Sequence, residues 1–175
     1  MKFTHGTILA AGMFVFLTVM SSDGQTPEKT AQSALVLDEG VAAHKGLDDI
    51  YGRFSEGYKK LDPAAVANLY TETAAYLAPG DEIDIGRGKI LATFTKMFDS
   101  TKQRNGRMEI SFRIAQRQAE QNMAYDVGIY TLTSFRENGE TRVSKGKFFV
   151  VAKPDKDSVW RFQVDGYNDL PKPPK

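Results

Sequence analysis

The spacing of apolar residues changes from a helical period to a two-residue period near Asn105 and Gly106. Before this point, apolar side chains recur every three or four residues, which places them on one face of an α-helix. After it, Met108, Ile110 and Phe112 alternate with polar residues, as on a strand with one buried face. Helices first and strands afterwards indicate an α+β fold in which helices cover one face of an antiparallel sheet.

Three helices are predicted before this change. Residues 47–61 carry apolar side chains on one stripe, which predicts a first helix of about four turns. Asp62 and Pro63 suit the cap and the first position of a second, short helix over residues 64–70. A third helix is expected after the turn at residues 86–88. Its predicted buried stripe consists of Ile90, Leu91, Phe94, Met97 and Phe98.

The strands and the flanking segments complete the expected organisation. A short strand is predicted over residues 74–78. The long strands are predicted over residues 108–114, 123–134, 142–153 and 159–167. Residues 25–43 are polar and small and are predicted to form a flexible lead-in to a single domain over residues 44–170. Residues 171–175, with the sequence PKPPK, are predicted to be a disordered tail.

The N-terminal segment has the organisation of a secretory signal peptide. Lys2 precedes an apolar run over residues 8–20, which is shorter than a typical transmembrane helix. Small residues follow the run and suit cleavage before Gln25, and cleavage after Ser21 is the alternative. Residues 1–24 are therefore predicted to be removed, and the protein to be exported to the periplasm or the extracellular space. Retention as an uncleaved membrane anchor is the alternative.

Composition excludes several classes of function. The chain has no cysteine, and its formal net charge is +1 with acidic and basic residues interspersed. Disulfide scaffolds, cysteine-ligated metals and a basic surface for nucleic acid or membrane are therefore not expected. His44 is the only histidine after residue 24, which argues against histidine triads and multi-histidine metal sites. Glycine-rich phosphate-binding motifs are also absent from the sequence, so neither a cofactor nor a metal is predicted.

The order of motifs resembles the nuclear transport factor 2-like superfamily, which includes ketosteroid isomerases and SnoaL-like polyketide cyclases. The resemblance covers residues 47–168 and rests on the segments LDPAAVANLY, AAYLAPG, GRGKI and VWRFQVDGYN. It implies a cystatin-like cone in which three N-terminal helices pack on a curved, mainly antiparallel sheet. It also implies a concave pocket and, in many relatives, a homodimer formed through the outer face of the sheet.

The positions that carry ketosteroid isomerase chemistry are apolar in this chain. By alignment with that family, the tyrosine that polarises the substrate carbonyl falls on Phe54, and the aspartate that moves the proton falls on Ala78. The aspartate of the oxyanion hole falls on Phe148 or Phe149. Neither a phenyl ring nor a methyl group can donate these hydrogen bonds or carry the proton. Ketosteroid isomerisation is therefore not expected.

The last strand supplies the polar residues expected in the pocket. The resemblance implies that alternate residues Gln163, Asp165 and Tyr167 line it. An aspartate in an apolar cone loses hydration, which raises its pKa and suits it to acid or base catalysis, so Asp165 is the candidate catalytic residue. The alternative is that Asp165 is tied to a tyrosine hydroxyl, to Arg161 or to a backbone amide and only orders the strand.

The remaining candidates are aromatic or lie at the rim. Aromatic side chains with polar tips suit a pocket for a flat or amphipathic ligand, but they also suit a filled core. Arg87 at the rim is predicted either to bind a ligand anion or to form a salt bridge with a preceding acidic residue. The other predicted pocket residues are Tyr51, Phe54, Tyr58, Ala78 and Tyr130.

Three functions are compatible with these observations. The first is an exported domain that binds a small apolar or amphipathic molecule in its cone. The second is a SnoaL-like enzyme, of cyclase, dehydratase or hydrolase type, that uses Asp165 as an acid or base. The third is a homodimeric assembly module that pairs through the outer sheet face, with Trp160 and Phe162 in the interface.

Overall fold

The structure of the protein is a computed structural model that describes residues 34–170. The predicted signal peptide and the predicted C-terminal tail lie outside the described residues. The elements in chain order are β1 (Leu35–Leu37), α1 (Lys45–Lys60), α2 (Pro63–Ala67), β2 (Tyr70–Leu77), β3 (Asp84–Ile85), α3 (Arg87–Lys102), β4 (Arg107–Ala119), β5 (Ala124–Phe135), β6 (Thr141–Pro154) and β7 (Trp160–Asp169).

The strands form one seven-stranded sheet in the order β1-β4-β5-β6-β7-β2-β3. The pairs within β4 to β7 and the pair β2–β3 are antiparallel, whereas β1–β4 and β2–β7 are parallel. The helix α1 packs on β4 and β7, and α3 packs on β2 and β4. The prediction of an α+β fold with three helices on a curved, mainly antiparallel sheet is confirmed.

The two N-terminal helices are fixed by side-chain caps. The Nδ1 atom of His44 accepts a hydrogen bond from the Leu47 amide at 3.2 Å, so His44 caps the N-terminus of α1. The Asp62 carboxylate accepts from the Ala65 amide at 2.9 Å, which confirms the predicted start of α2. The prediction that α2 continues to Tyr70 is wrong, because Tyr70 already pairs with β7 as the first residue of β2.

Part of the segment predicted as a flexible lead-in is a strand. Leu35, in β1, lies opposite Phe112 of β4, and the Phe112 amide donates to the Ala34 carbonyl at 2.8 Å. At the other end of β1, the Asp38 amide donates to the Ile114 carbonyl at 3.0 Å. The domain therefore begins before residue 44, because this strand covers the open edge of β4.

Two predictions about large apolar residues are wrong. Leu91 is 37% exposed, because it lies about 100° further round α3 than the buried Ile90. Phe162 does not belong to an outer sheet face, since only 2% of its surface is exposed and its ring packs among core aromatics. Trp160 packs edge-on against His44 with 4.9 Å between the ring centroids. These two residues therefore do not form an exposed pairing surface.

Candidate functional site

A cavity of about 100 Å³ lies between α1, α3 and the inner face of the sheet. Its wall is mainly aromatic. The aromatic lining residues are Tyr51, Phe54, Tyr58, Tyr76, Phe112, Tyr130, Phe148, Phe162 and Tyr167. The lining residues Met97, Ile110, Leu132 and Tyr167 are partly exposed, and Ile110 lies opposite Leu132 on neighbouring strands. We call the place where Met97, Ile110 and Leu132 border the cavity the mouth.

The helix α1 supplies one wall of the cavity. Tyr51, Phe54 and Tyr58 lie three and four residues apart, so their side chains leave the same face of the helix. Phe54 stacks on Tyr58 with 5.1 Å between centroids and meets Phe112 of β4 edge-on at 5.6 Å. Part of the aromatic stripe therefore fills the core, and part of it borders the cavity.

Asp165 lies on the cavity wall and is 8% exposed. The Tyr70 hydroxyl donates to its Oδ2 atom at 2.6 Å. From residues 34–170, Oδ1 receives no hydrogen bond. Burial raises the pKa of Asp165 from 3.8 to about 6, although the hydrogen bond from Tyr70 acts in the opposite direction. The bond from Tyr70 agrees with the alternative in which a tyrosine hydroxyl binds Asp165. The second oxygen, Oδ1, remains available to a ligand in the cavity.

Three phenols accompany Asp165 at this end of the cavity. The Tyr76 hydroxyl donates to the Tyr167 hydroxyl at 3.4 Å, which is long for such a bond. Tyr58 is 6% exposed, and within the described residues its hydroxyl has no hydrogen-bond partner. Burial raises the pKa of Tyr58 and of Tyr76 well above the ordinary value, so both keep their protons. The cavity therefore has one polar end with hydroxyl donors and a carboxylate acceptor.

The structure places Gln163 away from the cavity. The register between β6 and β7 changes from Val151 opposite Val164 to Ala152 opposite Phe162, which leaves Gln163 as the extra residue of a β-bulge. Its side-chain amide donates to the Thr73 carbonyl at 3.1 Å. The prediction that it lines the pocket is wrong, because the bulge interrupts the alternation that the prediction assumed.

Ala78 and Arg87 also lie outside the cavity. Ala78 borders a separate surface groove of about 540 Å³ together with Pro79, Lys147 and Phe149. The Arg87 guanidinium forms a salt bridge with Glu72 at 2.6 Å and donates to the Tyr70 carbonyl at 2.9 Å. The salt bridge agrees with one of the two alternatives, but its partner lies in β2 rather than in the loop that precedes Arg87.

A second buried carboxylate, Asp126, belongs to a network that is not among the predictions from the sequence. Asp126 is 1% exposed and forms two hydrogen bonds with the Arg117 guanidinium, at 2.8 and 2.9 Å. The Tyr51 hydroxyl donates to Asp126 at 2.8 Å, and Arg117 also pairs with Asp48 at 2.6 Å. The network ties the first turn of α1 to the β4–β5 hairpin. A hairpin register drawn from the turn at residues 120–123 would have placed Arg117 opposite Asp126.

Two further properties follow from the described part of the chain. Within residues 34–170, no three acidic or histidine side chains lie close enough together to hold a metal ion. No helix in this range has the length and the apolar character needed to cross a membrane.

No protein-family profile and no curated protein matches the sequence. Solved structures do match. An NTF2-like protein with a cystatin-like fold from Novosphingobium aromaticivorans superposes with a TM-score of 0.61 and 15% identity, over 72% of this chain and 80% of that chain. A ketosteroid isomerase-like protein from Erwinia carotovora atroseptica gives 0.58 and 12%, over 73% and 96%. A candidate dehydratase of the NTF2-like family from Streptomyces avermitilis gives 0.59 and 13%, over 73% and 97%.

These likenesses agree with the architecture described above. The matched structures are covered over four fifths or more of their own lengths, so the similarity extends to the whole domain and not to one supersecondary unit. At 12–15% identity it concerns the fold and not the activity. The chain has the nuclear transport factor 2-like fold, as the resemblance of its sequence implied.

Proposed function

We propose that the domain binds a small apolar or amphipathic molecule in the cavity, with a polar atom of the ligand against Asp165. The observation that carries the proposal is the combination of an aromatic wall with one carboxylate oxygen that no described residue satisfies. Asp165 is 8% exposed, so its charge is poorly hydrated, and a ligand that donates to Oδ1 stabilises it. The apolar wall supplies the remaining binding energy.

The size of the cavity limits the ligand. A protein cavity of about 150 Å³ accommodates benzene, and this cavity measures about 100 Å³. The enclosed part of the ligand is therefore a group no larger than a single ring, while the rest extends through the mouth. Leu132 is partly exposed and lines the cavity, so it stands where an entering molecule passes.

Calorimetric titration with phenol, cyclohexanol and benzyl alcohol tests this proposal. Leu132→Trp is expected to narrow the mouth and weaken binding of all three probes. The matched control is Val143→Trp, because Val143 is 57% exposed and lies outside the cavity. Failure of the unmodified protein to bind any probe at millimolar concentration would contradict the proposal, and so would equal binding by the Leu132→Trp variant.

An enzyme that uses Asp165 in proton transfer is the second candidate. The pKa of about 6 lets Asp165 accept or release a proton near neutral pH, and the Tyr58 hydroxyl is available as a donor beside it. A cyclisation, dehydration or hydrolysis is compatible with this pair, whereas ketosteroid isomerisation is not, because Phe54 and Ala78 carry no transferable proton. A panel of small β-hydroxy ketones, followed by enone absorbance, tests for dehydration. Asp165→Asn is expected to abolish turnover and keep the fold; unchanged turnover would exclude Asp165 from the mechanism.

We also propose that the protein is exported and that it forms a homodimer. The apolar run over residues 8–20 supports export, and the mass of the protein isolated from the expressing cell's periplasm or medium tests cleavage before Gln25. Val127 and Phe149 are 36% and 45% exposed on adjacent strands and support a homodimer through the outer sheet face. Light scattering at micromolar concentration tests the dimer, and a monomer mass would exclude it under those conditions.

A further inference from the structure

The described part of the chain buries two carboxylates in different electrostatic settings. Asp126 is paired with the Arg117 guanidinium, whose side chain is 2% exposed, so its charge is compensated within the protein. Asp165 receives one hydrogen bond, from the neutral Tyr70 hydroxyl, and pairs with no cation within the described residues. Among the cavity-lining residues of the described range there is no lysine, arginine or histidine. The Asp165 carboxylate therefore gives the cavity a negative charge that no cationic lining residue compensates.

The other titratable side chains that line the cavity are neutral phenols. They come from four elements: Tyr51 and Tyr58 from α1, Tyr76 from β2, Tyr130 from β5 and Tyr167 from β7. Each phenol has its pKa raised by burial, so none contributes a charge near neutral pH. Aromatic rings attract cations through their electron-rich faces, most strongly where water is excluded. The aromatic wall and the Asp165 carboxylate therefore both favour a positively charged ligand.

We propose that the ligand of this cavity is a small organic cation, an amine in its ammonium form, whose charged nitrogen lies against Oδ1 of Asp165 and among the surrounding aromatic rings. The inference rests on the proposed function and specifies its ligand class. A neutral ligand leaves the carboxylate charge uncompensated, and an anionic ligand adds like-charge repulsion in a site shielded from water. An ammonium group supplies both the missing charge and the missing hydrogen-bond donors.

Three probes with the same branched carbon frame test the charge preference: tert-butylammonium, tert-butanol and trimethylacetate. Calorimetric titrations of the unmodified protein at pH 8 are expected to show the ammonium probe binding about tenfold or more tightly than the alcohol, because a cationic donor to the Asp165 carboxylate replaces a neutral donor. Trimethylacetate is expected to bind most weakly. At pH 5 the ammonium preference is expected to fall, since Asp165, with a pKa of about 6, is then largely protonated.

Two variants identify the group responsible. Asp165→Asn keeps the size of the side chain and is expected to remove the ammonium preference while changing the alcohol affinity by less than about threefold. Asp81→Asn is the matched control, because Asp81 is an exposed acid outside the cavity lining and is expected to leave the preference unchanged. If Asp165→Asn does not fold, the loss of preference between pH 8 and pH 5 in the unmodified protein decides.

The outcomes separate this inference from the proposed function. Equal affinity for the ammonium and the alcohol at pH 8 would overturn the cation inference and leave small-molecule binding intact. An ammonium preference that survives in Asp165→Asn, or that persists unchanged at pH 5, would also overturn it. If none of the three probes binds while phenol does, the cation inference is overturned and the cavity binds uncharged rings. Absence of binding by every probe would refute both proposals.

Discussion

Replacing Asp165 by asparagine is expected to stabilise the protein at alkaline pH, although the residue is the first candidate for function. In the unfolded chain an aspartate has a pKa near 3.8, whereas burial raises the pKa of Asp165 to about 6 in the folded protein. The folded state therefore binds the proton more tightly than the unfolded state does. The stabilising effect of that proton is complete below pH 3.8 and is lost as the pH rises through 6.

The magnitude follows from the two pKa values. A pKa that rises from 3.8 to about 6 corresponds to about 3 kcal/mol of unfolding free energy once the group is ionised. Asparagine has no charge to desolvate and still offers an oxygen to the Tyr70 hydroxyl. Asp165→Asn is thus expected to raise the unfolding free energy by about 3 kcal/mol at pH 8 and by about zero near pH 3.8. For a protein of this size, the gain at pH 8 corresponds to an increase in Tm of about 6–12 °C.

Urea denaturation followed by circular dichroism, at several pH values from 4 to 8, measures the difference between the two proteins. The expected signature is a stability difference that grows with pH and reaches a plateau above pH 7. A difference that is independent of pH would refute the argument that an uncompensated carboxylate causes it. A variant less stable than the unmodified protein at pH 8 would show that the Asp165 charge is compensated in the folded state.

Three further predictions concern the parts of the fold that hold the cavity in place. Asp126→Asn is expected to lower the unfolding free energy by about 3–5 kcal/mol at pH 7, because the buried Arg117 cation loses the carboxylate that binds two of its nitrogens and keeps Asp48 alone; a loss below 1 kcal/mol in urea denaturation would contradict this. Gly128→Ala is expected to cost at least about 1–3 kcal/mol, since a β-carbon there would collide with the Arg113 carbonyl oxygen and lie 2.8 Å from the Phe148 ring; thermal denaturation checks this, and an unchanged Tm would show that the backbone of the β4–β5 pair shifts easily. Asp62→Ala is expected to cost about 0.5–2 kcal/mol through loss of the α2 cap, whereas Asp62→Asn, which keeps an acceptor, is expected to cost less.

The long elements could be predicted from the sequence because each one repeats its period several times. The stripe of α1 and the alternation of β4 extend over enough residues to separate a helix from a strand. The strands β1 and β3 have three and two residues, too few to show a period, and they form because the sheet offers them an open edge. Their existence depends on tertiary pairing and not on local pattern.

Part of the cavity wall can also be predicted from a repeated period in the sequence. Tyr51, Phe54 and Tyr58 follow from helical spacing, which the fold preserves. Gln163 was misplaced because a single extra residue shifts a strand by one position and leaves no mark in the pattern of apolar residues. Asp165 follows the bulge, so its inward position can be predicted only from the register of the residues that come after Gln163.

The β-bulge inserts one extra residue, Gln163, into β7 between the buried residues Phe162 and Asp165. On a regular strand, residues on the same face are separated by an even number of positions, whereas Phe162 and Asp165 are three positions apart and both are buried. If Gln163 were deleted, the pairing of β7 with β6 would become regular, with Phe162 and Asp165 still on the inner face, at the cost of the hydrogen bonds between Gln163 and β2. Deletion of Gly166 would instead turn Tyr167 outward. The chain length of β7 is therefore adjustable at Gln163 without exchanging the two faces of the sheet.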